Sequence, residues 1–552
     1  MVKRFFARAN SRLSIPLAAS LLAGSTLVSS LLGLYREKLL LTYYYDTYPQ
    51  GIDAYKVAFT LPDFMFFILV SGTLSVTFIP VFNQRLASGN KKSAWELSSS
   101  LINLFAVATF AISLLIIIFA EPLVQYIVAP GLDEGTRGLA VSLMRVVAIN
   151  PLLFSISTVL ASMQQAFGRY VFLALAPAIY SLGIIIGILF FTDGINIFGW
   201  QVFEGGIMGV ALGVVLGSIM QLLVSSIGMI GLKFEYDFKI FWRNLGFRRV
   251  LKLLPPRSFD QGIDYFNNLV EMNLASRLGA GAITAYQVAT MLHFVPVSLI
   301  GVAISTAAFP KMTERIAQGK AELFKKELRT ILRIIIWLAL PVAVIAFLGR
   351  GYLVSFIKVG GAPEIASILG VLAIAILFRS IYAISSRSFY AQQDTRTPLY
   401  ISIATILLNI ALAVFFVLQL QLGVFGLAAA QSIVAFVEVV ILFSIMSQRI
   451  KGLFNASFVN GVLRMISATG LMFVVTYIMI KTFNLTNVDE SLFALLPPFT
   501  LIVGVSLGSY LIMSRILGIH EARPVLRQLR KIVFTIVAKL RSIIFREVKP
   551  SK

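Results

Sequence analysis

The chain has 552 residues, of which 58% are hydrophobic and 13% charged, with a mean hydropathy of +0.88; that balance excludes an ordinary soluble domain and specifies a polytopic membrane protein. The absence of cysteine excludes disulfides, thiolate catalysis and thiolate metal sites. A formal net charge of +22 points to cytoplasmic loops rather than nucleic acid, because the basic residues are spread over the loops and ends between apolar segments.

Apolar windows long enough to cross about 30 Å of hydrocarbon occur at 13–35, 57–82, 97–120, 139–166, 170–192, 206–232, 259–280, 284–310, 330–349, 365–390, 399–419, 423–446, 457–481 and 492–517. The expectation is an all-α protein of about fourteen transmembrane helices. Most loop Lys and Arg fall at about 83–94, 167–169, 233–258, 311–329, 387–397 and 447–456, so these loops and both termini are expected on the cytoplasmic side. The first span is too long, and lacks the small-residue cleavage site, to be a removed signal peptide.

The stretch DAYKVAFTLPDFMFFILVSGTLSVTFIPVFNQRLASGNK returns from Thr284 as TAYQVATMLHFVPVSLIGVAISTAAFPKMTERIAQGK. MQQAFGRYVFLALAPAIYSLGII (163–185) matches FYAQQDTRTPLYISIATILLNIA (389–411), and GIMGVALGV matches GVFGLAAAQ with glycines aligned at 206/423 and 209/426. The chain therefore divides into a lobe over 1–232, a basic linker with an interfacial helix and a Pro-Pro over 233–258, a repeated lobe over 259–446, two unmatched spans over 447–517, and a basic amphipathic tail over 518–552. The tail spaces Leu, Ile, Val and Phe between basic residues at helical intervals, which suits the anionic inner membrane surface.

Ionisable residues inside such spans are costly and mark functional positions. Arg36, Glu37, Asp53, Lys56 and Asp63 sit at the ends of, or inside, the first two spans, and Arg145 and Arg379 in the fourth and tenth. A pyrophosphate needs fixed positive charge, and an arginine fork matches its oxygens, so Arg36 leads the candidates, with Lys56 and Arg145 behind it and Glu37 and Asp53 to orient them. The competing reading of Arg36, Arg145 and Arg379 is snorkelling to the interface; for Asp63, behind Pro62, it is a cap on freed backbone. His293 reads as a buried hydrogen-bonding histidine or a proton-sensitive switch. Asp264, Asn267 and Glu271 gather oxygens on the seventh span and form a candidate sodium site or a polar stripe. No Walker-type loop is present, so ATP is not the direct energy source.

In order along the chain, GLYRE, DAYKVAF with LP, FIP, VAPGL (128–132), GRYVFLALAP, LASRLGAGAITAY (274–286) and SFYAQQDTRTP (388–398) resemble the MurJ/MviN group of lipid II flippases, within the multidrug/oligosaccharidyl-lipid/polysaccharide exporter superfamily. The resemblance implies two six-helix lobes in a V around a central cationic cavity, a groove for the polyprenyl tail formed by the last two spans, and coupling to sodium or the membrane potential without a cofactor. It implies a monomeric multi-pass protein of the bacterial cytoplasmic membrane that moves lipid II, an undecaprenyl-pyrophosphate-linked disaccharide-peptide, from the inner to the outer leaflet by alternating access. The alternatives are a flippase for another polyprenyl-linked oligosaccharide and a multidrug/cation antiporter of the same superfamily. Against the family pattern, Ser30, Phe66 and Met291 stand where arginines are expected, and Val70, Ser71 and Gly72 where many members have Ala-Glu-Gly.

Overall fold

A computed structural model describes residues 15–70, 74–197, 200–358, 361–483 and 492–528. These form eighteen α-helices, α1 Ile15–Tyr44, α2 Pro49–Leu69, α3 Leu74–Ala87, α4 Lys91–Pro122, α5 Glu134–Val147, α6 Asn150–Ala166, α7 Val171–Ile186, α8 Ile207–Ile227, α9 Leu245–Ala275, α10 Ala282–Pro296, α11 Ala303–Ala317, α12 Ala321–Leu348, α13 Arg350–Ser355, α14 Pro363–Ala391, α15 Arg396–Val414, α16 Val424–Arg449, α17 Ala456–Thr482 and α18 Leu492–Ile516. The architecture is helical as expected, with one addition. A short antiparallel hairpin, β1 Ile195–Ile197 and β2 Trp200–Phe203, closes the loop between α7 and α8.

Among the described residues, eleven segments are long and apolar enough to cross a membrane. The three further windows, 13–35, 57–82 and 259–280, fall in α1, in α2 with α3, and in α9. These helices carry Arg36, Asp53, Lys56, Asp63 and Glu271, and in α2 and α9 the polar and ionisable groups lower the hydropathy. The window 57–82 is also divided, with α2 ending at Val70, whose φ of −126° and ψ of −46° leave the helical path. The first window ends at 35, yet α1 runs on to Tyr44 because Leu40 and Leu41 are fully packed and continue its buried face. Arg36 and Glu37 are therefore inside a helix, two turns from its end.

The Pro-Pro of the linker does not end a helix. Residues 233–244 form a loop, after which α9 continues through Pro255 and Pro256 into the seventh window. Proline removes one donor each time and fixes φ near the helical value. The carbonyls so freed belong to Leu251 and the exposed Lys252. The loop itself is stitched to the start of α4. Ser99 Oγ accepts from Asp237 N–H, Ser100 Oγ accepts from Phe241 N–H, and Asn103 Nδ2 donates to the carbonyls of Asp237 and Lys239. The buried serine run of α4 thus holds backbone that has no partner of its own.

The chain forms two compact units, Met1–Tyr286 with Asn409–Leu427, and Gln287–Leu408 with Ala428–Lys552. In the first, α7 and α8 meet through glycines. A Cβ on Gly183 would lie 2.2 Å from Gly217 Cα, and one on Gly187 would lie 2.4 Å from Gly213 Cα, so the backbones are in direct contact. Phe78, Phe82, Trp95, Leu101 and Phe247 build the adjoining core. In the second unit, α17 and α18 pack on α12. Tyr510 Oη donates to the Trp337 carbonyl at 2.9 Å, Trp337 Nε1 donates to Ser514 Oγ at 3.2 Å, and Arg333 Nη2 donates to Glu521 Oε2 at 3.0 Å.

The repeat is visible in local geometry, in two copies that both fall in the first unit. A π-turn ends the fifth window at Gly187–Phe191 and the eleventh at Phe415–Gln419. Gly206 and Gly423, with φ of +68° and +58°, then open the next span. Gly209 packs on the Phe191 carbonyl and Gly426 on Phe416, so the two aligned glycine pairs have one geometric cause each. The motif SFYAQQDTRTP forms a clip between helices: Gln393, at φ +61°, ends α14, and Asp394 accepts from Arg396 N–H, Thr397 N–H and Thr397 Oγ1 while pairing with Arg449 at 2.5 Å. Partial burial works against the Asp394 charge, but the Thr397 and Arg449 hydrogen bonds outweigh it and hold this carboxyl down at about 2.

Candidate anion-binding site in the first unit

Three helices bring the leading candidates together. On α1, Glu37 is 3% exposed and accepts a 2.5 Å hydrogen bond from Lys56 Nζ on α2. That pair neutralises itself. Its neighbour Arg36 is half-buried and makes no hydrogen bond or ion pair among the described residues, and it interacts electrostatically with Tyr55, Glu37, Tyr180 and Asp63. Asp63, one turn and three residues beyond Lys56 on α2, is likewise half-buried and without a hydrogen bond among the described residues. A buried guanidinium whose adjacent carboxylate is committed elsewhere keeps its donors for a ligand, and the complementary ligand is an oxyanion.

Two tyrosines, Tyr55 and Tyr180, complete this environment, and sequence reasoning passed over both. Tyr180 on α7 is held by Phe154 in an edge-to-face contact at 5.2 Å and by the absence of a side chain on Gly217, which packs on its carbonyl and ring. Tyr55 packs against Phe59 at 4.8 Å. The available signal was a tyrosine in an otherwise apolar span, which needs a partner for its hydroxyl.

Asp53 does different work. Its carboxylate, 1% exposed, accepts from Gly281 N–H at 2.6 Å, Thr284 N–H at 2.9 Å and Thr284 Oγ1 at 2.6 Å. These are free donors at the start of α10, so Asp53 caps that helix from a distance in sequence, in a location where its charge also meets the positive end of the helix dipole. The structure does not bring Arg145 into the cluster either. It is exposed on α5, and its Nε donates at 3.2 Å to the carbonyl of Ile117, two residues before the kink that α4 makes at Phe119.

A second polar centre lies on α9. Asn267 Nδ2 donates to Glu271 Oε1 at 2.9 Å, and Asn409 Nδ2 donates at 2.9 Å to both Glu271 Oε1 and Asn267 Oδ1. Glu271 and Asn409 are each 4% exposed, and the Asn409 Oδ1 is buried with no hydrogen-bond partner. Asn409 did not figure among the sequence candidates. The side chain of Asp264, which did, lies outside the described residues. Among the described residues no cluster of His, Cys, Asp and Glu could hold a metal ion through those groups alone, so a cation here would rely on amide oxygens.

In the second unit His293 is buried, with Nδ1 2.7 Å from the Thr290 carbonyl, and Arg379 pairs with Glu438 at 3.1 Å. On α18, Leu496, Pro497, Thr500, Leu501, Gly504 and Val505 line an open, mostly apolar depression.

The profile of the family described as Lipid II flippase MurJ matches residues 50–497. A Thermotoga maritima protein described as "Probable lipid II flippase MurJ" is 25% identical over 516 residues, covering 91% of this chain and 97% of its own. "Lipid II flippase MurJ" of Burkholderia cenocepacia is 24% identical over 403 residues, covering 70% and 75%. Among solved structures, "Lipid II flippase MurJ, inward closed conformation" superposes with a TM-score of 0.73 at 24% identity over 90% of this chain and 98% of that one. An inward-facing multidrug resistance transporter of the MATE family, in the MOP superfamily, gives 0.64 at 17% identity over 78% and 96%. A profile match over most of the length, with the same helical fold, shows that the chain belongs to the lipid II flippase MurJ family.

Proposed function

We propose that this protein is a lipid II flippase of the bacterial cytoplasmic membrane, moving the polyprenyl-pyrophosphate-linked peptidoglycan precursor from the inner to the outer leaflet by alternating access. The observation that carries the reading beyond family membership is Arg36: a half-buried arginine beside a carboxylate already neutralised by Lys56. That is the electrostatic state a diphosphate requires, and it needs no catalytic group. Transport, not bond cleavage, is the role. The apolar face of α18 suits a polyprenyl chain.

Sodium is the coupling ion in this proposal, with Glu271, Asn267 and Asn409 as its ligands. What supports this is the buried Asn409 Oδ1, without a hydrogen-bond partner among the described residues, beside the Asn267 amide and the Glu271 carboxylate. Hard cations prefer such oxygens. The test is complementation in a bacterium depleted of its own lipid II flippase, followed by flipping in reconstituted vesicles. Growth must be restored, and vesicles with a sodium gradient must flip faster than those without, a difference that Glu271→Gln removes. Failure of the wild-type chain to flip lipid II in vesicles would reject the function, and a sodium response retained by Glu271→Gln would reject the ion site.

Both termini lie in the cytoplasm in this reading, and the chain acts as a monomer beside anionic lipids. Single cysteines introduced into this cysteine-free sequence test the orientation. A membrane-impermeant reagent should label Glu134→Cys from outside the cell and leave Gln318→Cys unlabelled until the membrane is opened. Both side chains are exposed, so silence reports sidedness and not burial. The reverse pattern would invert the topology.

A further inference from the structure

The second unit holds an ion pair that the first site does not use. Arg379 lies at the middle of α14 and Glu438 at the middle of α16, with Nη1 3.1 Å from Oε2. Glu438 is 3% exposed and is fixed from behind by α15, whose Thr405 and Ser402 hydroxyls donate to its Oε1 at 3.3 and 3.5 Å; Ser402 is in turn 3.1 Å from Tyr382 Oη. Arg379 is 32% exposed, and the rest of its fork has no hydrogen-bond partner among the described residues. The pair is thus one-sided, with a carboxylate locked in place and a guanidinium held by one of its nitrogens.

The depth of Arg379 decides what its open side meets. Sixteen residues separate it from the start of α14 and twelve from the end, roughly 24 and 18 Å along the helix axis. The loop expected from 387 is nearer, eight residues or roughly 12 Å along the axis, and this is still farther than an arginine side chain reaches, so snorkelling does not account for the position. An arginine exposed to hydrocarbon at such depth is prohibitively costly. Its open side therefore faces water or a polar ligand.

We propose that Arg379, oriented by Glu438, is a second oxyanion-binding site for the transported lipid, a proposal that rests on the flippase reading above. Glu438 uses one oxygen on Arg379 and presents the remaining donors of the fork as a planar pair. A phosphate or a carboxylate accepts two parallel hydrogen bonds from that geometry. The lipid-linked precursor offers both chemistries, in its pyrophosphate and in the carboxylates of its peptide. His293, the titratable group of α10 that interacts electrostatically with Arg379, bonds the Thr290 carbonyl and does not compete for the fork.

The experiment measures flipping against lipid II concentration in vesicles carrying the full chain, with the peptide carboxylates free or amidated. Arg379→Gln is expected to raise the half-maximal concentration by about ten-fold or more, the worth of charge-assisted hydrogen bonds, and Arg379→Lys by less. The double variant Arg379→Gln/Glu438→Gln should resemble Arg379→Gln, since a ligand site is not restored by removing the counter-charge. Recovery of wild-type flipping in the double variant would overturn the proposal, showing a structural pair only. So would a wild-type concentration dependence in Arg379→Gln. If Arg379→Gln does not accumulate, Arg379→Lys carries the test, and a lysine variant equal to wild type overturns the fork. A defect that persists with the amidated lipid assigns the pyrophosphate, and one that disappears assigns the peptide. A wild-type chain inactive with both lipids would instead reject the flippase reading.

Discussion

Arg36→Ala is expected to lower flipping of lipid II by about ten- to a hundred-fold, the range that follows from losing charge-assisted hydrogen bonds to a buried oxyanion, while the protein accumulates and melts as the wild type does. The two halves of that expectation have one origin. Arg36 spends no donor on the protein, because Glu37 is committed to Lys56 at 2.5 Å, so its removal breaks no native pair and relieves the cost of holding a cation inside a span. Arg36→Lys should recover part of the rate, since the charge returns without the fork. Lys56→Ala makes the contrast: it breaks the one hydrogen-bonded ion pair of Glu37 among the described residues, at 3% exposure, and should destabilise the fold by up to about 3–5 kcal/mol, less where the neighbouring Arg36 turns to replace it. Flipping at the wild-type rate in Arg36→Ala would move the anion site elsewhere.

Gly213→Leu is expected to prevent accumulation of folded protein, and Gly213→Ala to cost about 1–3 kcal/mol as overpacking does. A Cβ at Gly213 would stand 2.5 Å from Gly187 Cα, and backbone cannot rotate out of the way as a side chain can. The helices must separate. Separation carries Tyr180 with it, because Tyr180 rests on Gly217 one turn along the same seam. The damage should therefore show first as lost flipping in Gly213→Ala and only then, in Gly213→Leu, as lost protein. Measured by yield and thermal unfolding of the purified variants, a Gly213→Leu protein with the wild-type melting temperature would disprove direct backbone contact between α7 and α8.

Much of the fold was legible because burial in a bilayer leaves a coarse signal. Windows of about 20 apolar residues gave eleven of the crossing segments, and aligned glycines at 206/423 and 209/426 marked real structural equivalents. Two helices outside these eleven are α2, with Asp53, Lys56 and Asp63, and α9, with Glu271 among other polar residues, where the groups that make a site also lower the hydropathy of the span. Local pattern also found Arg36, Glu37 and Lys56, which are near in sequence or one helix apart. It could not find the role of Asp53, whose partners at Gly281 and Thr284 are 228 and 231 residues away. Nor could it find Asn409, which joins Glu271 across 138 residues, or the acceptor of Arg145, the Ile117 carbonyl on α4, 28 residues away. Composition reports which groups must be satisfied, and only the tertiary structure reports by what.

The cap that Asp53 places on α10 has a consequence for biosynthesis. The second helix enters the membrane early, but the amides that satisfy its carboxylate are translated 228 residues later. At about 5–20 residues per second that is an interval of roughly ten to fifty seconds, during which the nascent N-terminal helices hold an acid in the bilayer with its final partner unmade. Closing so long a chain segment adds little entropy cost over a shorter one, so the contact forms readily once Gly281 emerges. Until then these helices are an assembly intermediate that depends on the insertion machinery to remain in place.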